Sequence, residues 1–407
     1  MPRAPRILPA LLLLLTGLLA VGTASTSPPA AAADGPGSGT PWVVTLGDSY
    51  ISGEAGRWAG SSNDASARAD ALGPSAYHDD ADGSGEQIER CHRSRSAEAY
   101  IGGGVNGLNL ACSGGETATT AGDAFKPGLD FYDDGAGRHG QARMLQDFAA
   151  THRVGLVVVS VGGNDFGFAD VVQDCVVGFL TSPTWAKSLC SEDDDVTDRF
   201  SPANVAAVQA RIAGALQNVR TAMTTAGYSD DQWTLLVQTY PSPIPRGDAI
   251  RYRESGFDRQ FVGGCGFWSR DADWANDVAL PTINGAVTGA AADSGLSNVE
   301  VLDLASAFDG RRLCESTVGL YEEVGIADWT SPGAVDRTEW VNQIRTISTC
   351  CADSPYYIQE SIHPNYWGQL ATRSCVRQAW NGGDPRGGTC SIAGPGLVGG
   401  EPSMVLR

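Results

Sequence analysis

The feature that most constrains the fold is a series of five short apolar segments spread along the chain. They read WVVTL, GLNLA, VGLVVVSV, WTLLVQTY and VEVLDL, at residues 42–46, 107–111, 154–161, 233–240 and 299–304. Each segment is apolar almost without alternation, which is typical of strands that are covered by protein on both faces. The five segments therefore predict the strands of a parallel sheet.

Helical patterns lie between several of these strands. The clearest one follows Ser201 and Pro202, repeats apolar residues every three or four positions, and ends at Gly227. Two further helices are predicted at about 274–292 and 366–380. Strands that alternate with helices predict an α/β fold, with three αβα layers around a doubly wound five-stranded parallel sheet.

The first 33 residues are predicted to be a signal peptide and leader. Arg3 and Arg6 precede an apolar run that ends near Val21, and small residues then offer cleavage after Ala24 or Ala33. No later stretch reaches the roughly 18 apolar residues of a membrane-spanning helix. We therefore expect a secreted, extracellular protein without a stable membrane anchor.

The rest of the chain is predicted to form one domain. Residues 34–40 are expected to be a disordered linker, residues 41–395 the domain, and residues 396–407 a flexible C-terminal tail. Long stretches between the predicted elements, at 53–105, 166–200, 241–272 and 305–360, are expected to be surface insertions. Most cysteines fall within or beside these insertions, where cross-links stabilise most in the chain-entropy account.

Charge and cysteine content restrict the function classes. The chain has 28 basic and 47 acidic residues, a net charge of −19, which argues against nucleic acid and anionic membranes as partners. Its ten cysteines are an even number, and their spacing, without a CxxC pair, favours disulfides over a zinc site. We expect no metal site.

The stretch VVTLGDSYISGE, residues 43–54, places Ser49 directly after the first predicted strand. Its glycine, aspartate and serine are common turn formers, so an ordinary turn is one interpretation. The other is a nucleophile at the carboxyl edge of a parallel sheet, where open α/β folds keep their sites.

Two neighbouring strand ends favour the second interpretation. The second strand ends in LACSGGET, residues 110–117, and the third ends in VSVGGNDFGF, residues 159–168, which carries Asn164. Backbone N–H groups and an amide that converge beside a hydroxyl are what an oxyanion hole requires. The sequence thus predicts a serine with hydrogen-bond donors at one sheet edge.

A nucleophilic serine needs a base, and His363 is the best candidate among five histidines. It lies in QESIHPNYWGQ, just before the last predicted helix, with Glu360 three residues earlier. That spacing can place a carboxylate beside the imidazole, where it would fix the tautomer. The other four lie in a polar insertion or near a helix expected behind the sheet: His78, His92, His139 and His152.

These four segments together resemble the motif blocks of the SGNH hydrolases, also called the GDSL esterase and lipase family. GDSY is similar to the nucleophile block, NLACSGGET to the glycine block, GGND to the asparagine block and ESIHPN to the histidine block. The blocks occur in the family's order over most of residues 42–381. The resemblance, in particular to secreted actinobacterial lipases and esterases, implies a flavodoxin-like sheet and a serine hydrolase.

The resemblance also implies a role for each site residue. Ser49 would be the nucleophile and His363 the general base. The oxyanion hole would consist of the Ser49 N–H, a glycine N–H and the Asn164 side chain. We choose Gly114 over Gly115 because it lies five residues after Asn109, the interval found in the family.

Glu360 departs from the family pattern, which usually has aspartate at this position. Either its carboxylate orients His363, which we slightly favour, or its backbone oxygen does, as in some secreted bacterial members. Asp48 is expected to brace the turn at the nucleophile, and Asp303 is a poorer alternative for the acid.

The resemblance to secreted lipases, which have about three disulfides, implies the pairs Cys91–Cys112, Cys175–Cys190 and Cys265–Cys314 by order. The pairing of the last four cysteines stays open, because four cysteines allow three pairings: Cys350, Cys351, Cys375 and Cys390.

The sequence as a whole predicts a secreted monomeric esterase that cleaves lipid or simple acyl esters through an acyl-enzyme on Ser49, without a cofactor. One alternative is an esterase that removes acetyl or aromatic acyl groups from carbohydrates. Another is a carbohydrate- or cell-wall-binding protein that lacks activity. A metallohydrolase is disfavoured because histidines are scarce and HExxH is absent. Expected partners are a small-molecule, lipid or glycan ester.

Overall fold

The computed structural model describes residues 36–345 and 357–407. The predicted signal peptide and leader, and both Cys350 and Cys351, lie outside the described residues. The described residues belong to one compact unit, Asp34–Arg407. Among them, no helix has the length and apolar character needed to cross a membrane.

A parallel sheet forms the centre of the fold, as predicted. Its first five strands are β1 (Trp42–Gly47), β2 (Asn106–Asn109), β3 (Val154–Ser160), β4 (Thr234–Gln238) and β5 (Val299–Asp303). They pair in parallel in the order β2-β1-β3-β4-β5, the flavodoxin-like doubly wound order. The order reverses at β1, so the ends of β1, β2 and β3 lie side by side at the switch point.

The prediction of five strands is incomplete, because the sheet has seven. β6 (Gly388–Val398) pairs in parallel with the end of β5, and β7 (Glu401–Leu406) pairs antiparallel with β6. The predicted flexible tail at 396–407 is therefore wrong. Gly399 and Gly400 both have positive φ, which suits a tight hairpin turn between the two strands. Met404 and Leu406 are buried in the core.

Helices cover both faces of the sheet. The α-helices of the described residues are α1 (Ser49–Ser52), α2 (Gln141–Ala149), α3 (Phe168–Thr181), α4 (Asp194–Thr197), α5 (Pro202–Thr225), α6 (Asp258–Phe261), α7 (Ser269–Trp274), α8 (Leu280–Asp293), α9 (Tyr321–Val324), α10 (Ala334–Arg337) and α11 (Tyr366–Trp380). The predicted helices at 201–227 and 366–380 are confirmed as α5 and α11. The one predicted at 274–292 contains a π-helical turn, Ala275–Ala279, before α8.

Alternate residues of β3 enter two separate cores, which explains the continuous apolar strands. Val157 and Val159 pack on the face that is covered by α2, α5 and α8. Leu156 and Val158 pack on the opposite face with α11 and the long insertions. Because both faces are covered, a strand here has no polar side, and the three-layer prediction is confirmed.

Disulfides fasten the insertions. Cys91–Cys112, Cys175–Cys190 and Cys265–Cys314 are paired as predicted. The structure also pairs Cys375 with Cys390, which joins α11 to β6 and decides one of the pairings that the sequence left open.

Candidate active site

Ser49 lies in the tight turn between β1 and α1. Gly47 has φ of 134°, and a Cβ there would lie 1.8 Å from the Ser160 carbonyl oxygen, so only glycine fits. Asp48 is the N-cap of α1 and accepts the Tyr50 N–H at 3.1 Å. The side chain of Ser49 is thereby fixed at the carboxyl end of β1, where the sequence predicts it.

Asp48 braces the sheet edge, as expected from its place beside the serine. Its buried carboxylate accepts the Tyr240 hydroxyl at 2.5 Å, and that hydroxyl in turn accepts the Gly163 N–H at 3.0 Å. Burial raises the pKa of Asp48 to about 7. The chain of contacts ties the turn after β1 to the turn after β3 through a tyrosine that follows β4. The sequence analysis did not identify Tyr240.

Ser49 and His363 come together although 314 positions separate them in the sequence. The Ser49 Oγ lies 2.6 Å from His363 Nε2, and both residues are buried. His363 Nδ1 lies 2.8 Å from the carbonyl oxygen of Ser361. A carbonyl can only accept, so Nδ1 carries the proton and Nε2 faces the serine hydroxyl as an acceptor.

Burial keeps this histidine neutral. It lowers the pKa of His363 below the ordinary 6.5, and the nearby Glu54 charge opposes that effect. A neutral imidazole that is bonded to a serine hydroxyl is the protonation state that a general base needs.

The structure contradicts the expected contact between Glu360 and His363. The Glu360 carboxylate accepts the Trp58 indole N–H at 2.9 Å, the Tyr77 hydroxyl at 2.5 Å and the Tyr357 N–H at 3.0 Å. These three neutral donors occupy both carboxylate oxygens. The backbone oxygen that orients the imidazole is that of Ser361, one residue further along the chain. The extra methylene of glutamate, compared with aspartate, lets the carboxylate reach this separate cluster.

Asp303 does not replace Glu360. Its carboxylate accepts the Thr239 hydroxyl and the Ala305 N–H, both at 3.0 Å, at the end of β5. Asp303 is the last residue of β5, and its carboxylate stabilises the turn that follows.

A buried ion pair near His363 was missed by the sequence analysis. Glu54 Oε1 lies 2.7 Å from His92 Nδ1, and neither side chain is exposed by more than a few per cent. The other Glu54 oxygen accepts the Gln359 side-chain N–H at 2.8 Å. The His92 charge, acting against burial, lowers the pKa of Glu54 to about 2. The sequence offers one sign of this ion pair: Glu54, a charged residue, follows directly after the GDSYISG stretch at residues 47–53.

The glycine loop after β2 is held against the end of β1. Cys112 donates its N–H to the Gly47 carbonyl at 3.1 Å, and its disulfide to Cys91 secures the loop. Gly115 fills a close approach, since a Cβ there would lie 2.7 Å from the Gly47 oxygen, and its N–H donates to Cys112. Gly114, by contrast, is an exposed residue, and its N–H makes no hydrogen bond within residues 36–345 and 357–407.

Asn164 lies beside the serine after β3, where the sequence predicts it. One N–H of its amide donates to the Gly115 carbonyl at 2.9 Å, which fixes the direction of the side chain and leaves a second N–H. Asn164 and Ser49 line the same small cavity. Ser49, at the first position of α1, also has a backbone N–H without an intrahelical partner.

An apolar groove, defined by Phe168, Pro243, Leu280 and Ile283, continues from this cavity. These four residues line both the cavity at Ser49 and an adjoining one. The adjoining cavity is walled mainly by apolar side chains from α3, the π-helical turn and the loops nearby, among them Val171, Phe200, Phe267, Trp274 and Ile362. The nucleophile thus opens onto an apolar surface.

No family model and no curated protein matches the chain. Solved structures are similar to it, among them the following three. An extracellular lipase from Streptomyces rimosus is 19% identical with a TM-score of 0.42, covering 84% of this chain and 100% of that one. Phospholipase A1 from Streptomyces albidoflavus NA297 is 19% identical with a TM-score of 0.40, covering 84% and 99%. A carbohydrate acetylesterase from Sinorhizobium meliloti is 14% identical with a TM-score of 0.30, covering 71% and 94%.

Proposed function

We propose that the protein is a secreted serine hydrolase that cleaves carboxylic esters through an acyl-enzyme on Ser49. The observation that carries this proposal is the contact of 2.6 Å between Ser49 Oγ and His363 Nε2, with Nδ1 held by the Ser361 carbonyl. A nucleophile, a base and a group that orients the base are the parts that covalent catalysis requires.

In the first half of the reaction, the Ser49 oxygen attacks the ester carbonyl carbon while His363 Nε2 takes the hydroxyl proton. The imidazolium then donates that proton to the leaving alcohol, and the acyl-enzyme remains. In the second half, a water molecule attacks the acyl-enzyme carbonyl while His363 Nε2 takes its proton. The imidazolium then returns that proton to the Ser49 oxygen as the acyl bond breaks and the carboxylic acid leaves. No metal or organic cofactor takes part in these steps.

The sheet edge would stabilise the oxyanion of each tetrahedral intermediate. We expect three donors there: the Ser49 N–H, the Gly114 N–H and the second N–H of Asn164. Ser49 and Asn164 line the same cavity. Asp48, Tyr240 and the Cys91–Cys112 disulfide fix the turns that carry them. Donors that are held in place before the reaction need no reorganisation when the charge develops, and this is usually the largest contribution to such catalysis.

The apolar groove favours an aliphatic acyl group as the substrate's acid part. Phe168, Leu280 and Ile283 offer it no charged partner, and burial of each methylene is worth about 0.8 kcal/mol. Lipid or simple acyl esters are therefore the substrates that we propose. Secretion is supported by the four disulfides, which persist in oxidising compartments.

The proposal is tested with a serine-reactive fluorophosphonate and a panel of p-nitrophenyl esters of increasing acyl length. We expect the wild type to be labelled on Ser49 and to hydrolyse the panel, and Ser49→Ala to lose both properties. Ser52→Ala is the matched control, since this serine lies in the same short helix and donates to the Ser49 carbonyl. Ester hydrolysis by Ser49→Ala at the wild-type rate would refute the proposal.

A further inference from the structure

A second cavity adjoins the proposed oxyanion hole and shares no lining residue with the apolar groove. Its volume is about 880 Å³, within the range of small-molecule sites. We call it the cationic cleft, and its charged lining residues are Arg90, Lys126, Arg138, Glu89 and Asp123, with His139 beside them.

Two contacts place the cleft next to the reacting groups. The aliphatic carbons of Lys126 lie 3.7–3.9 Å from the position that a Cβ on Gly114 would occupy. Gln359 also lines the cleft, and its backbone oxygen is close enough to the His363 imidazole to act on the pKa of that ring. A substrate whose carbonyl oxygen binds the Gly114 N–H would therefore have the cleft within reach.

The three cations of the cleft, Arg90, Lys126 and Arg138, have no carboxylate of the described residues in direct contact. They rest on neutral acceptors instead: Lys126 Nζ donates to the Arg90 carbonyl at 2.6 Å, Arg138 donates to the Gly122 carbonyl at 2.8 Å, and Arg90 Nε donates to the Gln359 side chain at 3.0 Å. Each cation keeps further N–H donors for a ligand.

The charge balance also favours an anion. With Glu89 and Asp123 included, the lining carries one net positive charge when His139 is neutral, against −19 for the chain. Burial lowers the pKa of Lys126, one of only two lysines in the sequence, and the nearby charges of Glu54, Glu86 and Glu89 oppose this effect. A half-buried ammonium that contacts no carboxylate directly gains stability when an anion binds to it.

We propose that the cationic cleft binds an anionic group on the alcohol part of the ester while the acyl part lies in the apolar groove. This inference rests on the proposed function. An ester carbonyl has one acyl and one alcohol substituent, and two cavities of opposite character are available for them. A phosphate is the anion that suits Arg90, Lys126 and Arg138 together, whether it belongs to a lipid headgroup or to a soluble phosphorylated alcohol.

The kinetic test compares two butyryl esters that differ only in their leaving phenol, one neutral and one with a sulfonate. We expect the wild type to prefer the anionic ester by about tenfold in kcat/KM at low ionic strength, and less as salt is added. Lys126→Met and Arg138→Gln should each lower this ratio by about threefold or more. Arg220→Gln is the matched control, because Arg220 pairs with Asp230 on the exposed face of α5, away from the cleft. A wild-type ratio near one, or equal ratios in all variants, would overturn the inference.

A binding test separates this inference from the proposed function. Calorimetry on Ser49→Ala should detect millimolar or tighter binding of glycerol 3-phosphate and no binding of glycerol, with a loss of at least about fivefold in Lys126→Met. Binding without any ester hydrolysis by the wild type would refute the proposed function only. Hydrolysis of neutral esters without phosphate binding would refute the cleft only.

Acylated glycerol phosphate in solution and phosphatidic acid in mixed micelles distinguish the two sources of the phosphate. Preferential hydrolysis of either one, lost in Lys126→Met, supports the cleft and identifies the source.

Discussion

The sheet edge and the histidine loop hold their halves of the site in different ways. At the sheet edge, Ser49 and Asn164 follow the adjacent parallel strands β1 and β3, which bring them to one cavity. The histidine loop, residues 357–363, is held by groups from distant parts of the chain. Tyr50 donates its hydroxyl to the Ile362 carbonyl at 3.0 Å, and Asn342 donates its N–H to the His363 carbonyl at 3.0 Å. Short local motifs at adjacent strand ends supply the residues of the first region, whereas contacts with segments far away in the sequence set the conformation of the second.

Two buried glutamates near His363, one on the histidine loop and one after the nucleophile, differ in their pKa because their contacts differ. Glu360 lies on the loop among neutral donors, and burial raises its pKa to about 7. Glu54 lies in the insertion after the nucleophile, and its contact with His92 lowers its pKa to about 2. The ionised carboxylate that influences His363 therefore belongs to the segment of the serine, while the one with the family-like spacing is partly protonated at neutral pH.

In the histidine loop, the largest expected effect on activity comes from His363, the side chain that takes part in the proposed reaction. His363→Ala removes the proposed base, and we expect kcat to fall by about a million-fold, as in serine proteases that lose their catalytic histidine. Fluorophosphonate labelling of Ser49 should slow in parallel, because it needs the same proton transfer. Rapid labelling of the variant would show that another group activates the serine.

At the sheet edge, the corresponding change is Asn164→Ala. Removal of one oxyanion donor should lower kcat by about a hundred- to a thousand-fold, or about 3 to 4 kcal/mol, with little change in KM. Steady-state kinetics on a soluble ester measure both constants. A rise in KM at constant kcat would make Asn164 a substrate-binding residue instead.

The sheet edge could be predicted because its signals are local. A glycine with positive φ at position 47, a serine at a strand end and an asparagine after two glycines are visible in a few adjacent letters. The same holds for the first five strands, whose apolar character follows from burial on both faces. β6 and β7 were not predicted, because the sequence of a glycine-rich hairpin looks like that of a flexible tail. Only the pairing of β6 with β5 shows that the segment belongs to the sheet.

The histidine loop could be predicted only in part, for a physical reason. The position of His363 follows from its motif, but the direction of the Glu360 carboxylate depends on Trp58 and Tyr77, which lie about 300 positions earlier. No local spacing encodes such contacts. Glu54 and His92 escaped for the same reason, since each looks like an ordinary polar residue of an insertion.

The two glutamates should change the free energy of unfolding with pH in opposite directions. The pKa of Glu360 is raised from 4.5 to about 7, so the wild type loses stability as pH rises through this window. Glu360→Gln avoids this loss and should unfold with a free energy higher by up to about 3 kcal/mol at pH 8, and equal at pH 4.

Glu54 has the opposite sign, because its lowered pKa stabilises the fold above pH 4.5 and this contribution is lost as pH falls toward 2. Glu54→Gln should therefore destabilise the protein at pH 8. Urea unfolding of both variants at pH 4 and pH 8 measures these differences, and equal signs at pH 8 would contradict the contrast.

A smaller effect on activity is expected for Glu54→Gln. Burial lowers the pKa of His363, and the Glu54 charge is the main influence that opposes burial and raises it. Removal of this charge should therefore lower the pH at which kcat/KM falls on the acid side of its pH profile. In the wild type, the fall of kcat/KM on the acid side should already have its midpoint below pH 6.5. We expect kcat to fall by about tenfold, because the imidazolium that forms in the reaction loses support. If the acid side of the pH profile does not shift in Glu54→Gln, Glu54 does not influence the pKa of His363.

The smallest expected effect tests the central claim, that a backbone carbonyl orients the base. Glu360→Gln can keep all three contacts, because an amide oxygen accepts from Trp58 and Tyr357 while its N–H donates to the Tyr77 hydroxyl. The decisive measurement is kcat/KM of this variant on a soluble p-nitrophenyl ester at pH 8. With the Ser361 carbonyl in place, we predict a value within about threefold of the wild type. A loss near ten-thousand-fold, as when a triad acid becomes an amide, would show that the Glu360 carboxylate supports His363 after all.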